Sequence, residues 1–209
     1  MRVLAVADKE DMHLWNGGRR QLLQDLDLIL SCGDLDPDYL QYLVTVGNCP
    51  LFYIRGNHDG VYEERPPEGC ICIEDRLETF RGLRFYGLGG CRRYSRGSNQ
   101  YYEEEMRKRI RSAEWKLKSA GGVDILLTHV PPRGYGDLPD LPHRGFNCFH
   151  LFLDEWHPAY QLHGHIHPEY HRDEGPLPQH SSGTRILNVC GAHLFEWDEA
   201  EIIASRPVL

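Results

Sequence analysis

Leu51-Phe52-Tyr53-Ile54-Arg55-Gly56-Asn57-His58-Asp59 is a four-residue apolar run that breaks, at a glycine, into an amide, an imidazole and a carboxylate. So short a run, bounded by such residues, reads as a buried strand feeding a loop. The same change occurs twice upstream, where residues 3–7 give way to Asp8 and Leu28-Ile29-Leu30 leads into Gly33-Asp34. Downstream, residues 123–127 lead into Thr128-His129, and residues 159–162 into His163-Gly164-His165-Ile166-His167. Five strand ends thus offer carboxylate, amide and imidazole donors, the groups that bind hard to borderline divalent ions. A carboxylate facing a core is costly unless paired or metal-bound.

Helical signals separate these runs. Residues 17–26 place Leu22, Leu23 and Leu26 on one face, and Pro37 suits a first helical turn before Tyr39, Leu40, Leu43 and Val44. Strands alternating with helices predict parallel strands joined by crossovers, an α/β fold. The texture then changes to short extended pieces at 70–73, 77–80 and 83–86, the last two joined by Arg81-Gly82 as a tight hairpin. A Gly- and Arg-rich loop at 87–97 precedes a charged helix at 100–119, in which Met106, Ile110 and Leu117 are the apolar positions. The Pro- and Gly-rich segment 130–146 is too long for a plain turn and is expected to lie over the site. A short helix at 149–156 and closing strands at 185–189 and 193–197 complete the chain, read as one domain over 1–209.

Composition narrows the function classes. A length of 209 residues with 41% hydrophobic and 26% charged content suits an ordinary globular domain. No apolar run approaches the roughly 20 residues of a membrane span, and the first residues read as a strand rather than a signal peptide, so a cytoplasmic location is expected. A net charge of −8 argues against nonspecific nucleic-acid binding. Seven cysteines without a Cys-x-x-Cys pair read as reduced thiols, and twelve histidines hint at metal chemistry.

Taken in order over residues 8–167, the five donor segments resemble the calcineurin-like metallophosphoesterase family. Gly87-Leu88-Gly89-Gly90, Asn99-Gln100-Tyr101 and Gly136-Asp137 through His143 are similar to a bacterial subgroup of it with Asp-x-Glu in the first motif. The resemblance implies a four-layer α/β/β/α sandwich of two mixed sheets flanked by helices, with a dinuclear metal site at the strand ends. It implies that Asp34 bridges two ions, that Asn57, His129 and His165 bind one, and that Asp8 and His167 join Asp34 on the other. His58 would protonate the leaving oxygen, a role suited to an imidazole, with Asp59 orienting it or steadying the turn. The implied reaction is in-line attack of a metal-bridging hydroxide on a small phosphomonoester or phosphodiester, nucleotides and cyclic nucleotides included.

One motif departs from the family. Asp8-Lys9-Glu10 stands where Asp-x-His is usual. Ligation by Glu10 would lower the formal charge of the site from about +1 to about 0 and favour manganese or iron over zinc, with nickel and magnesium as alternatives. The competing reading has Glu10 facing solvent at a helix start, with His13 a poorer substitute ligand. On the rim, Arg93 with Arg92, Tyr94 and Arg96 would bind a phosphate or stack a base, and Asp140 and His143 would border the substrate. His163 is expected to pack at its strand end, and His150, His157, His171, His180 and His193 to be structural or surface residues. The alternative to an enzyme is a metal-binding scaffold or protein-interaction module on the same fold; no protein partner is legible.

Overall fold

Each apolar run that ends in a donor residue forms a strand, and burial explains why. In the computed structural model, which describes residues 1–18, 20–170 and 179–207, the strands are β1 (Arg2–Ala7), β2 (Leu28–Ser31), β3 (Leu51–Tyr53), β4 (Ile71–Cys72), β5 (Leu77–Phe80), β6 (Leu83–Leu88), β7 (Cys91–Arg92), β8 (Gln100–Tyr101), β9 (Ile125–Thr128), β10 (Tyr160–His163), β11 (Arg185–Asn188) and β12 (Gly191–Glu196). The helices are α1 (Met12–Trp15), α2 (Pro37–Gly47), α3 (Glu103–Ala120), α4 (Cys148–Trp156) and α5 (Glu199–Ala204). Among the described residues, one five-stranded sheet has the order β12-β1-β2-β3-β4 and a second the order β11-β10-β9-β6-β5, with β7 and β8 forming a small pair. Both large sheets are mixed. The pairs β1/β2, β2/β3, β3/β4, β6/β9, β9/β10 and β10/β11 are parallel, while β12 on β1 and β5 on β6 are antiparallel.

Three apolar clusters define the layers. Val3, Ala5, Leu28, Leu30 and Phe52 of the first sheet face Phe85, Ile125, Leu127 and Leu162 of the second, and these side chains form the central core. Val6, Ile29 and Leu51 turn the other way, onto Leu14 of α1 and Tyr39, Leu40 and Leu43 of α2. Tyr86, Leu88 and Leu126 likewise meet Met106, Ile110, Ala113 and Leu117 of α3 and Phe149, Phe152 and Leu153 of α4. Strands buried on both faces lack polar alternation, so they read as continuous apolar runs. The result is helix, sheet, sheet, helix.

Local chemistry sets the helix ends. Asp36 accepts from the Asp38 N–H at 2.8 Å ahead of Pro37, and left-handed Asn48 closes α2. The Arg81-Gly82 hairpin has φ of 48° and 81°, as its tight turn requires. Among the described residues, no α-helix forms over the expected span 17–26. Asp11 instead caps α1 through the N–H groups of His13 and Leu14, and Gly17 at φ 78° ends that region. A 3-10 turn at Arg20–Leu23 buries Leu23 and, just beyond it, Leu26, so the apolar spacing was met by a turn. Helix α5, capped by Asp198, is too short to show periodicity.

Candidate metal centre

The donors gather where parallel strands end. Asp8 follows β1, Asp34 lies beyond β2, Asn57 beyond β3, His129 directly after β9 and His165 beyond β10. This edge, outside the carboxyl ends of parallel strands, is where α/β sheets bind ligands. Asp8, Asp34, His129 and His165 bring one ligand atom each within 4.8 Å of one another. Asp8, Asp34 and His165 hold left-handed backbone, with φ of 60°, 58° and 66°. That conformation costs on the order of 1–3 kcal/mol per non-glycine residue and persists only when its surroundings impose it.

The surroundings do so here through hydrogen bonds between motifs. The Asp8 N–H donates to the Gly33 carbonyl at 3.1 Å, and the His165 N–H donates to Asp8 Oδ2 at 2.8 Å. Asp59 Oδ2 accepts from the N–H of both Asp34 (2.8 Å) and Gly56 (2.7 Å), which ties two loops to one buried carboxylate. Two glycines make room for the carboxylates. A Cβ on Gly56 would lie 2.1 Å from Asp34 Oδ1, and one on Gly164 2.2 Å from Asp8 Oδ2.

The electrostatics ask for a cation. His129, fully buried, has Nδ1 2.7 Å from the Cys32 carbonyl, to which it donates. Its Nε2 then faces Asn57 Oδ1 at 3.1 Å and Asp34 Oδ2 at 3.2 Å. A neutral ring would present three acceptors to one another, so a positive charge belongs among them, either a proton on Nε2 or a metal ion. Burial alone would lower the His129 pKa, but the Asp34 carboxylate, its hydrogen bond and Asp8 hold it up to about 10. Burial pushes Asp34 upward, yet His129 and the His58 N–H bring it down to about 2. His165 is pushed down to about 3 by burial and by His129. Its Nε2 donates to the Pro142 carbonyl at 2.9 Å, which leaves the Nδ1 lone pair available to an ion. Neutral imidazoles, carboxylates and an amide oxygen fit a divalent ion of the first transition row.

The other sequence-predicted residues lie around this group. His58 is exposed, and its N–H donates to Asp34 Oδ1 at 2.7 Å, which puts the residue beside the cluster, where its charge also acts on Asp34. Among the described residues no hydrogen bond joins it to Asp59, whose partners are the two loops. Burial first, then Asp34, pushes Asp59 up to about 6. Glu10 is half-buried just before the Asp11 cap of α1, and His167 is half-buried before the 3-10 turn Pro168–Tyr170; both stand outside the group of four. An ion pair between Lys9 and Glu169 links the segments that carry them. Arg93 lies over the Tyr102 ring at 5.1 Å and near Glu105. His143 pairs with Asp140 at 2.7 Å and packs against His165 with ring centroids 5.3 Å apart. His150 and His180 hydrogen-bond at 3.0 Å, away from the group of four. His171 lies outside the described residues.

Backbone groups were invisible to sequence reasoning. The Cys32 and Pro142 carbonyls fix two imidazoles, and nothing about a residue type marks such a role. Of the two roles read for Asp59, the turn-steadying one matches its bond from the Gly56 N–H, and the added tie to the Asp34 loop had no signal in the sequence.

A mixed α/β sandwich with Asp, Asn and His donors at its strand ends defines a metal-binding phosphoesterase class of fold. A family model described as calcineurin-like phosphoesterase matches residues 6–169, and the chain belongs to that family. It is also similar to the UPF0046 protein T07D4.2 of Caenorhabditis elegans, 42% identical over 60 residues, a match covering 27% of this chain and only 15% of that protein. Among solved structures, TT1561 of Thermus thermophilus has the same fold, with a TM-score of 0.50 at 14% identity over 78% of this chain and 80% of that one. A diphosphatase from the PhnP family is more remote, at TM-score 0.34 and 13% identity over 92% and 80% of the two chains. Among the described residues no helix is long and apolar enough to cross a membrane.

Proposed function

We propose that this chain, as one domain over 1–209, is a metal-dependent phosphoesterase that hydrolyses a small phosphomonoester or phosphodiester. The observation that carries the reading is that Asn57 Oδ1 and Asp34 Oδ2 lie 3.1 and 3.2 Å from His129 Nε2, with the exposed His58 next in sequence to Asn57. Asp34, Asn57, His129 and His165 would hold one ion, and Asp8, Asp34 and His167, with Glu10, a second. When bound, the two ions supply Lewis acidity for the phosphoryl oxygens and an activated water at neutral pH. The chain's own residues do the rest. Asp34, its carboxylate held by the His58 N–H and its backbone tied by Asp59, would serve both ions. His58, on the solvent side, donates a proton to the leaving oxygen. The Asp140–His143 pair and Arg93 line the approach for the ester's organic part or a further phosphate. Manganese or iron suits the donor set if Glu10 ligates, because a third carboxylate favours oxygen-seeking ions.

The test is a metal-reconstituted panel. Protein stripped of metal and supplied in turn with manganese, iron, cobalt, nickel or zinc is assayed against aryl phosphomonoesters, phosphodiesters and cyclic nucleotides. Turnover is expected with manganese or iron. Metal uptake without turnover across the whole panel would support the scaffold reading instead.

A further inference from the structure

We infer that Tyr94 is a positioning residue whose hydroxyl fixes the orientation of the Asn57 amide and thereby the affinity of the ion that Asn57 binds. The inference rests on the metal-dependent reading above and concerns a residue outside the metal-ligand motifs. Asn57 is 6% exposed, and an amide in that position can turn either end toward the metal. Only the oxygen ligates; the NH2 end would present two N–H donors to a cation. A proton on His129 Nε2, 3.1 Å from Oδ1, also favours the ligating orientation, but that proton is lost once the nitrogen binds a metal. The constraint that remains comes from the opposite side. Asn57 Nδ2 donates to the Tyr94 hydroxyl oxygen at 3.3 Å, which keeps Oδ1 pointing at His129 Nε2.

Tyr94 stands in a built loop between β7 and β8. Gln100, 4% exposed, accepts through Oε1 from the N–H of Tyr94 (3.1 Å) and of Ser95 (2.9 Å), and its Nε2 donates to Ser95 Oγ at 2.9 Å. Asn99 Nδ2 donates to the Gly56 carbonyl at 2.8 Å, one residue from Asn57 itself. The loop therefore grips the metal motif at two consecutive residues, once by its backbone and once by its side chain. Outer partners of this kind set ligand geometry and typically carry part of the metal affinity.

The experiment is a double-substitution cycle read by manganese titration in a calorimeter, with metal content and thermal melting measured alongside. Tyr94→Phe removes one neutral hydrogen bond and should weaken one of the ions by about 2- to 12-fold, the equivalent of a net hydrogen bond. Asn57→Asp makes both ends of the side chain oxygen, so orientation ceases to matter. In that background Tyr94→Phe no longer changes which atom faces the ion, although the hydroxyl can still donate to the outer carboxylate oxygen, so its loss should differ from that in the wild type and the two changes should be non-additive. Unchanged affinity for every ion in Tyr94→Phe overturns the inference. An equal loss from Tyr94→Phe in the wild-type and Asn57→Asp backgrounds overturns it as well, since a general loosening of the loop acts in both. Wild-type protein that takes up no manganese overturns the function reading first and this inference with it, an outcome distinct from metal uptake that ignores Tyr94.

Discussion

The two halves of the candidate centre are held very differently. Around Asp34, Asn57 and His129 every donor is fixed by something other than a metal: the His58 N–H on Asp34, the Cys32 carbonyl on His129, Tyr94 on Asn57. On the other side, Asp8 is fixed by Gly33 and by the His165 N–H, while the half-buried Glu10 and His167 stand outside the group of four, in two segments joined by the Lys9–Glu169 ion pair. An exposed ion pair of that kind contributes little. If two ions bind, the half whose donors are already gathered takes up its ion with little ordering of the chain, whereas the half that includes Glu10 and His167 would bear the cost of any ordering its ligands still need. The difference teaches that one ion should bind ahead of the other, with Asp34 common to both.

Asp34→Ala should break both halves together and is the largest effect expected. Even partners that only orient a ligand are commonly worth about 10- to 100-fold in metal affinity, so removing a bridging donor should cost more than that, and turnover should fall with it. Elemental analysis after dialysis and an activity assay check this. Retention of both ions would break the picture of a shared carboxylate.

His58→Ala separates chemistry from binding. Its N–H survives the substitution, so Asp34 keeps that hydrogen bond and both ions should remain. The rate should drop on the order of 10²- to 10⁴-fold, the range of a general acid. Metal loss equal to that of Asp34→Ala would show that the ring does something other than donate a proton.

Asp59→Asn probes the tie between the two loops, through pH. Burial and the Asp34 charge raise the folded-state pKa of Asp59 to about 6, from 3.8 in the unfolded chain. A carboxyl with a raised pKa contributes stability that is fully present below about 4 and lost as pH rises through about 6. Above pH 7 the ionised form therefore burdens the metal-free protein, by an amount on the order of 1–3 kcal/mol. Asp59→Asn can still accept both N–H groups, and should flatten the stability curve of the metal-free protein between pH 4 and 7 and raise it at pH 8. With manganese added, the lost negative charge should make the variant bind more weakly than wild type. Denaturant titrations at several pH values check the sign.

The legible part of this molecule was its punctuation. Strands buried on both faces need unbroken apolar runs, and the donors that end those runs cannot stay in a core, so residues 3–7, 28–30, 51–54 and 123–127 announced both the sheets and their functional edge. Residues 17–26 misled because Leu23 and Leu26 are buried by a 3-10 turn that satisfies the same spacing. The left-handed conformations of Asp8, Asp34 and His165 were hidden for another reason: Asp and His tolerate that region without requiring it, so neither advertises it as glycine would. Tyr94 was read only as part of an Arg-rich rim. Its contact with Asn57 joins segments that are local neighbours only after β3, β7 and β8 have folded.

The finest test of the comparison is Glu10, where the chain leaves the family's usual Asp-x-His. If its carboxylate serves the half with Asp8 and His167, Glu10→Gln should weaken that ion on the order of 10-fold, the low end for a supporting ligand, and leave an ion held by Asn57, His129 and His165 nearly unchanged. Glu10→His restores the common ligand type and adds one unit of positive charge to the site, which should shift preference toward zinc or nickel, since imidazole suits those ions. The structure also supplies the opposing argument. Glu10 lies just before the Asp11 cap of α1 and outside the group of four, in a turn that the fold already holds without it. The Asp11 side chain holds that turn through His13 and Leu14, and its own N–H donates to the Tyr39 hydroxyl at 3.2 Å. Calorimetric titrations of the three proteins decide between these forces. A selective loss at the weaker ion in Glu10→Gln means that metal binding draws the turn inward, while two unchanged affinities mean that the cap holds and Glu10 stays out.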